Sequence, residues 1–240
     1  MTDSRVIFAL DFPSLEGARG LLPVVRNGVG MFKIGLELFV EAGPEAIAVV
    51  LRHDRPVFLD LKLHDIPETV ERAVARASAL GVKMLTVHAA GGPAMIRRAT
   101  ERARREGNTL EIVAVTVLTS LDEHDLAALG IAETLEEHVE RLAKAAWDEG
   151  VRSFVCSPRE ARLLRAALGR GATIVTPGVR PATSSNIDDQ KRTMTAGEAV
   201  LGGADWIVVG RPIRDAADPL AAALAFTREV EDARAARCIG

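Results

Sequence analysis

Charged side chains two residues apart inside an apolar run are the first feature of this chain that could do chemistry. Val57-Phe-Leu-Asp60-Leu-Lys62 reads as a strand, and alternation puts Asp60 and Lys62 on one face with Phe58, opposite Val57, Leu59, Leu61 and Leu63. Met31-Phe-Lys33-Ile-Gly35 places Lys33 in the same way, and the run Arg5–Asp11 ends on Asp11. Brought together, Asp11, Lys33, Asp60 and Lys62 form an alternating array of carboxylates and ammonium groups, the ingredients of proton transfer and charge stabilisation. A purely structural cluster of ion pairs is the competing reading. Desolvating such charges is costly and apolar packing usually stabilises as well, so a reactive site explains the array better.

The elements that must position these groups follow from periodicity. Eight short β-rich runs recur: Arg5–Asp11, Met31–Gly35, Val57–Lys62, Lys83–His88, Ile112–Leu118, Ser153–Ser157, Thr173–Thr176 and Trp206–Gly210. Between them lie stretches such as Glu68–Leu80 and Leu135–Glu149, where Ala, Leu and Val return every three or four residues among Arg, Glu and Lys. Gly81, Gly107, Gly150 and Gly202-Gly203 close several of these stretches, as helix C-caps commonly require. Alternating strands and helices demand parallel strands with right-handed crossovers. Eight such units in 240 residues predict an α/β fold, a single-domain (β/α)8 TIM barrel over residues 1–240, since such barrels run to about 250 residues. A doubly wound open sheet is disfavoured, because the first strand ends Asp11-Phe-Pro-Ser14 without a G-x-G-x-x-G turn. In a barrel the four charges fall toward the C-terminal ends of their strands, where such folds keep their active sites.

The same end offers an anion site. The seventh run leads into Pro177-Gly178-Val179-Arg180 and the eighth into Gly210-Arg211-Pro212-Ile213. Loops after strands seven and eight often hold phosphate; Gly210 permits close backbone approach and Arg211 a bidentate clamp. The connection Gly178–Thr193 is long enough to be functional rather than incidental. Spacing leaves Asp65 open between two uses. Asp65-Ile-Pro-Glu68 has the form of a capping box with Pro67 in the first turn, and it also directly follows the charged strand. Ser120–Glu123 and Thr195–Glu198 read as capping boxes, His88 as an inward supporting residue, and Cys156 as a small buried hydrophobe.

Composition narrows the function classes. A count of 30 Lys+Arg against 33 Asp+Glu gives a net charge of −3, and aromatics make up 4% with no Tyr. That argues against a nucleic-acid groove built on phosphate neutralisation and base stacking. No apolar run reaches the ~18 residues of a membrane span. Met1-Thr-Asp-Ser-Arg5 lacks the pattern of a signal or transit peptide, and Cys156 and Cys238 form neither a disulfide framework nor a metal motif. A soluble, cytoplasmic protein is expected.

Asp60-Leu-Lys62-Leu-His-Asp65-Ile-Pro-Glu-Thr69 resembles the D-x-K-x-x-D-I-P signature of the orotidine 5′-monophosphate decarboxylases of bacterial type. The likeness continues through Ala9-Leu-Asp11, Phe32-Lys33-Ile-Gly35, Thr86-Val-His-Ala-Ala-Gly-Gly92 and Val117-Leu-Thr-Ser120. It extends to Thr176-Pro-Gly-Val-Arg180, Asp188-Asp-Gln-Lys-Arg192 and Val209-Gly-Arg-Pro-Ile213, and so spans nearly the whole chain. The resemblance implies a homodimeric carboxy-lyase with no metal or other cofactor, making uridine 5′-monophosphate and CO2 in the last step of de novo UMP biosynthesis. By the same resemblance, Asp11 and Lys33 bind the ribose hydroxyls and order the charge network. Asp60 lies beside the substrate carboxylate, and Lys62 delivers the proton that replaces it. Asp65 reaches the neighbouring subunit's site, Thr69 binds substrate at that boundary, and Thr119 meets the pyrimidine. Arg180, Gln190, Gly210 and Arg211 hold the phosphate, Gln190 also touching the base, and phosphate binding closes the Gly178–Thr193 loop. The nearest alternative is a Mg2+-dependent sugar-phosphate decarboxylase or aldolase with a D-x-K-x-x-D core; Thr119 and Gln190 favour a nucleotide. A catalytically dead phosphate-binding barrel is the non-enzyme alternative, disfavoured because Asp11, Lys33, Asp60 and Lys62 are all present.

Overall fold

All eight β-rich runs form strands: β1 (Val6–Ala9), β2 (Met31–Gly35), β3 (Val57–Leu63), β4 (Met84–His88), β5 (Glu111–Val115), β6 (Ser153–Val155), β7 (Thr173–Thr176) and β8 (Trp206–Val209). The computed structural model describes residues 4–107, 109–180 and 194–239, with backbone alone for 238 and 239. The strands pair in chain order, all parallel, and β8 pairs with β1 to close a barrel. Closure removes the doubly wound alternative. β1 is shorter than the expected Arg5–Asp11. Its ladder with β2 ends at Ala9 opposite Lys33, Leu10 N–H still reaches the Lys33 carbonyl at 2.9 Å, and Asp11 then leaves the sheet.

Helices fill the connections: α1 (Leu15–Val25), α2 (Leu36–Ala42), α3 (Pro44–Leu51), α4 (Pro67–Ala79), α5 (Gly92–Arg105), α6 (Glu123–Ala128), α7 (Leu135–Asp148), α8 (Ala161–Leu168), α9 (Ala196–Leu201), α10 (Arg211–Arg214) and α11 (Pro219–Ile239). α4 shows why such segments are helical. Pro67 opens it, Val70, Val74, Ala77 and Ser78 bury one face, and Gly81 (φ +76°) takes the left-handed turn beyond its end. The Asp65–Glu68 capping box does not form. Pro67 takes the first helical position, which makes Ile66 the N-cap, and Asp65 Oδ1 accepts the Ile66 N–H at 2.6 Å instead. The Ser120–Glu123 box does not form either. Asp122 and Asp125 cap α6 reciprocally, each carboxylate accepting the other's backbone N–H. Thr195–Glu198 caps α9 as expected.

The core has two layers. Val6, Phe8, Phe32, Val57 and Leu59 face the helices, while Ile7, Met31, Phe58, Met84, Val113 and Val175 fill the barrel interior. Phe8, Phe32, Phe58 and Phe154 are among the fully buried side chains, each stabilising the fold by about 1.5–3 kcal/mol. Period two then carries the inner face from apolar to charged: Ile7-Ala9-Asp11, Met31-Lys33-Gly35 and Phe58-Asp60-Lys62. The closed floor thus lies beneath the charges and keeps water from reaching them from below. Cys156 is buried as expected, and the segment from Arg228 continues α11; the Cys238 side chain lies outside the described residues. Among the described residues, no helix is long and apolar enough to cross a membrane.

Candidate active site

β1, β2 and β3 deliver their charges to one cavity at the C-terminal mouth. Lys33 Nζ stands 3.1 Å from Asp11 Oδ1 and 3.4 Å from Asp60 Oδ2, and Lys62 Nζ stands 2.8 Å from Asp60 Oδ1. Asp11, Lys33, Asp60 and Lys62 are therefore one continuous chain of ion pairs. The Lys33 and Asp60 side chains are 12% and 13% exposed, against 52% for Asp11. Burial opposes the charge on Lys33, but the Asp60 and Asp11 carboxylates outweigh it and hold the ammonium above the ordinary lysine value. Burial opposes the charge on Asp60 too. Lys33 and Lys62, with hydrogen bonds from Lys62 and Thr86, outweigh it and hold the carboxyl below the usual range. Lys33 and Asp60 thus stay ionised at neutral pH.

Backbone geometry at this point is equally specific. Lys62 has φ +50°, and Asp54 is the only other described non-glycine residue with positive φ. Left-handed backbone costs a residue with a side chain about 1–2 kcal/mol. The β3–β4 register shifts between Leu59 and Leu63, across the same residue. Thr86 of β4 bridges the irregularity: its Oγ1 accepts the Lys62 N–H at 2.8 Å and donates to Asp60 Oδ1 at 3.1 Å. Gly35 keeps space for the network, since a Cβ there would lie 3.0 Å from Lys33 Nζ and 3.4 Å from Asp11 Oδ1. Arg214 donates from Nη1 to the Asp11 carbonyl at 2.8 Å, fixing the end of β1.

Sequence reasoning singled out none of these three as site residues. Thr86 and Gly35 carried a signal, being polar or small on the inner face at the level of the charges. Arg214 carried none, because its contact exists only once β8 has closed onto β1.

The cavity has a volume of about 240 Å³. Asp11, Lys33, Asp60 and Lys62 line it, with Thr119 after β5, Gly178 and Arg180 after β7, and Gly210 and Arg211 after β8. Four cations face two carboxylates, so the cavity favours an anion. The Arg180 N–H bonds the Met194 carbonyl at 3.0 Å, and Arg211 opens α10 directly after Gly210. A Cβ on Gly210 would meet Ala9 Cβ at 3.5 Å and Asp11 Oδ2 at 3.6 Å, so glycine leaves the rim open beside β1.

Other expected site residues fall elsewhere. Asp65 and Thr69 are exposed and do not line this cavity; Ile66 beside them is 66% exposed. Gln190 and the stretch 181–193 lie outside the described residues. His88 is half-buried next to His64, ring centroids 5.4 Å apart, and does not line the cavity. Burial, with His64 and Lys62 nearby, holds its imidazole below the usual value, as suits a neutral supporting residue. Among the described residues, no group of three or more His, Cys, Asp and Glu side chains is arranged to hold a metal ion.

Comparison with known proteins follows the same outline. The profile described as "Orotidine 5'-phosphate decarboxylase / HUMPS family" matches residues 4–226. A protein of Anaeromyxobacter sp. (strain K) named orotidine 5'-phosphate decarboxylase is 52% identical over 222 residues, covering 92% of this chain and 96% of its own. A protein of the same name from Trichlorobacter lovleyi is 47% identical over 230 residues, covering 95% of each. The crystal structure of orotidine 5'-phosphate decarboxylase from Lactobacillus acidophilus superposes with a TM-score of 0.84 at 35% identity, over 95% of this chain and 99% of that one. With a closed barrel, an ordered Asp–Lys–Asp–Lys cavity and matches across nearly its full length, this chain belongs to the orotidine 5'-phosphate decarboxylase / HUMPS family.

Proposed function

We propose that this protein decarboxylates orotidine 5′-monophosphate to uridine 5′-monophosphate and CO2, the closing step of UMP biosynthesis. The observation that carries the reading is a largely buried, ionised Asp60 with an ammonium group on each side, in a cavity that Arg180 and Arg211 also line. The names of the relatives support the same substrate.

In this reading the C6–carboxylate bond breaks heterolytically, CO2 leaves, and the electron pair stays on C6, which no adjacent carbonyl delocalises. Lys62 opposes that charge with an ammonium that folding has already placed, and then gives C6 its proton. The resulting amine regains a proton from water. Asp60 fixes Lys62 at 2.8 Å and Lys33 at 3.4 Å, so no reorganisation is needed as charge develops. Lys33 and Asp11 bind the ribose hydroxyls, Thr119 meets the pyrimidine, and Arg180, Gly210 and Arg211 take the phosphate with Gln190. Phosphate binding at a distance from C6 supplies energy that orients the reacting ring.

Asp65 and Thr69 act in a second copy of the chain, the enzyme working as a homodimer. Support comes from their exposure outside the cavity of their own chain, next to an exposed Ile66.

The test is the ultraviolet absorbance of orotidine 5′-monophosphate with purified protein and EDTA, with CO2 recorded in parallel. Conversion to uridine 5′-monophosphate is expected. No conversion by folded protein, with turnover of a sugar phosphate on adding Mg2+, would move the chain to the other branch of its family.

A further inference from the structure

Thr86 is fully buried on the inner face of β4, and its hydroxyl joins two groups of the site. The Lys62 N–H is a donor, so Thr86 Oγ1 must meet it with a lone pair, at 2.8 Å. That leaves its single proton for Asp60 Oδ1, at 3.1 Å. Asp60 Oδ1 also accepts from Lys62 Nζ at 2.8 Å. The bonds close a ring that runs from the Lys62 amide through Thr86 and Asp60 back to the Lys62 ammonium. One residue is therefore gripped at both ends, and its backbone is the left-handed one at φ +50°.

We propose that Thr86 is a positioning residue for Lys62: its hydroxyl holds the strained Lys62 backbone and directs a proton at Asp60, so that ammonium and carboxylate keep one geometry. The proposal deepens the decarboxylase reading and rests on it for the turnover readout alone. A threonine that merely fills space would be replaced by valine without loss, since the two have nearly the same shape. Under the ring, valine leaves the part-buried Lys62 N–H without its acceptor and Asp60 with one donor fewer, whereas serine keeps both bonds.

The experiment compares wild type, Thr86→Val, Thr86→Ala and Thr86→Ser for kcat and KM with orotidine 5′-monophosphate. Affinity for uridine 5′-monophosphate is measured by calorimetry, and the Asp60 carboxyl is titrated by carbon-13 NMR. Thr86→Val and Thr86→Ala are expected to lower kcat about ten- to a hundred-fold, with KM and product affinity within about threefold. Thr86→Ser is expected to recover most of kcat. The Asp60 carboxyl should titrate at higher pH in the valine variant than in wild type. Valine keeping wild-type kcat, or serine falling as low as valine, overturns the proposal. So does collapse of both the valine and alanine variants while serine folds and is fully active, which marks a structural role. Absence of turnover in wild type itself would refute the decarboxylase reading instead, and an unchanged Asp60 titration would still refute the ring.

Discussion

The β1–β4 side of the barrel mouth and the β7–β8 rim solve opposite problems. On the first, Asp11, Lys33, Asp60, Lys62 and Thr86 satisfy one another before any ligand arrives. On the second, the described lining residues include Gly178, Arg180, Gly210 and Arg211, with no carboxylate among them. One half is a finished network in which each charge depends on its neighbours. The other lines the cavity with two guanidinium side chains beside glycine backbone, a composition suited to a group that brings its own negative charge. Substitutions should separate the halves: the network side registers in stability and in kcat, the rim in binding.

The largest stability effect is expected from Lys33→Met. It leaves Asp60, 13% exposed, with one ammonium instead of two, and should cost about 1–3 kcal/mol in urea unfolding. A loss under about 1 kcal/mol would mean the network is not prebuilt. The difference from wild type should also depend on pH. Asp60 sits below its ordinary value of 3.8, so its stabilisation is complete above that pH and fades as pH falls through the lower native value. Lys33 sits above its ordinary value of 10.5, so its stabilisation is complete below that pH and fades as pH rises through the higher native value. The gap between wild type and Lys33→Met should therefore be widest and flat between those limits, and narrow on both sides. A gap that grows toward acid would contradict the sign.

Arg211→Ala should raise KM about ten- to a hundred-fold while leaving unfolding free energy within about 0.5 kcal/mol. An equal loss of stability would make the rim a structural network like its counterpart. Gly35→Ala sharpens the contrast at the low end. Its Cβ would press Lys33 Nζ at 3.0 Å and Asp11 Oδ1 at 3.4 Å, and a displacement of a few tenths of an ångström should lower kcat/KM by about three- to tenfold. No change would show that Lys33 has slack the geometry does not suggest.

The same division explains what could be read from the chain. Strand alternation placed Asp60 and Lys62 on the inner face of β3, and both line the cavity. Regular period-two geometry accounts for Asp60, whereas Lys62 arrives there through a left-handed residue in a register shift. Closure of β8 on β1 followed from counting strand–helix units. A neighbour decided the caps: Pro67 took the first turn of α4 and removed the capping use left open for Asp65, and Asp122 took α6 from the expected Ser120. The left-handed Lys62 and the hold of Thr86 on it depend on a register shift between two strands, and nothing in either strand's own sequence encodes that. Arg214 reaches Asp11 across a separation of 203 residues.

Lys62→Ala tests the central claim most directly. CO2 release from orotidine 5′-monophosphate is measured for wild type and variant, with uridine 5′-monophosphate affinity determined on the same samples. Turnover should fall by about four orders of magnitude or more, while the nucleotide still binds within about tenfold, because Arg180 and Arg211 are untouched. Turnover within about tenfold of wild type would remove Lys62 as the proton donor and contradict the account.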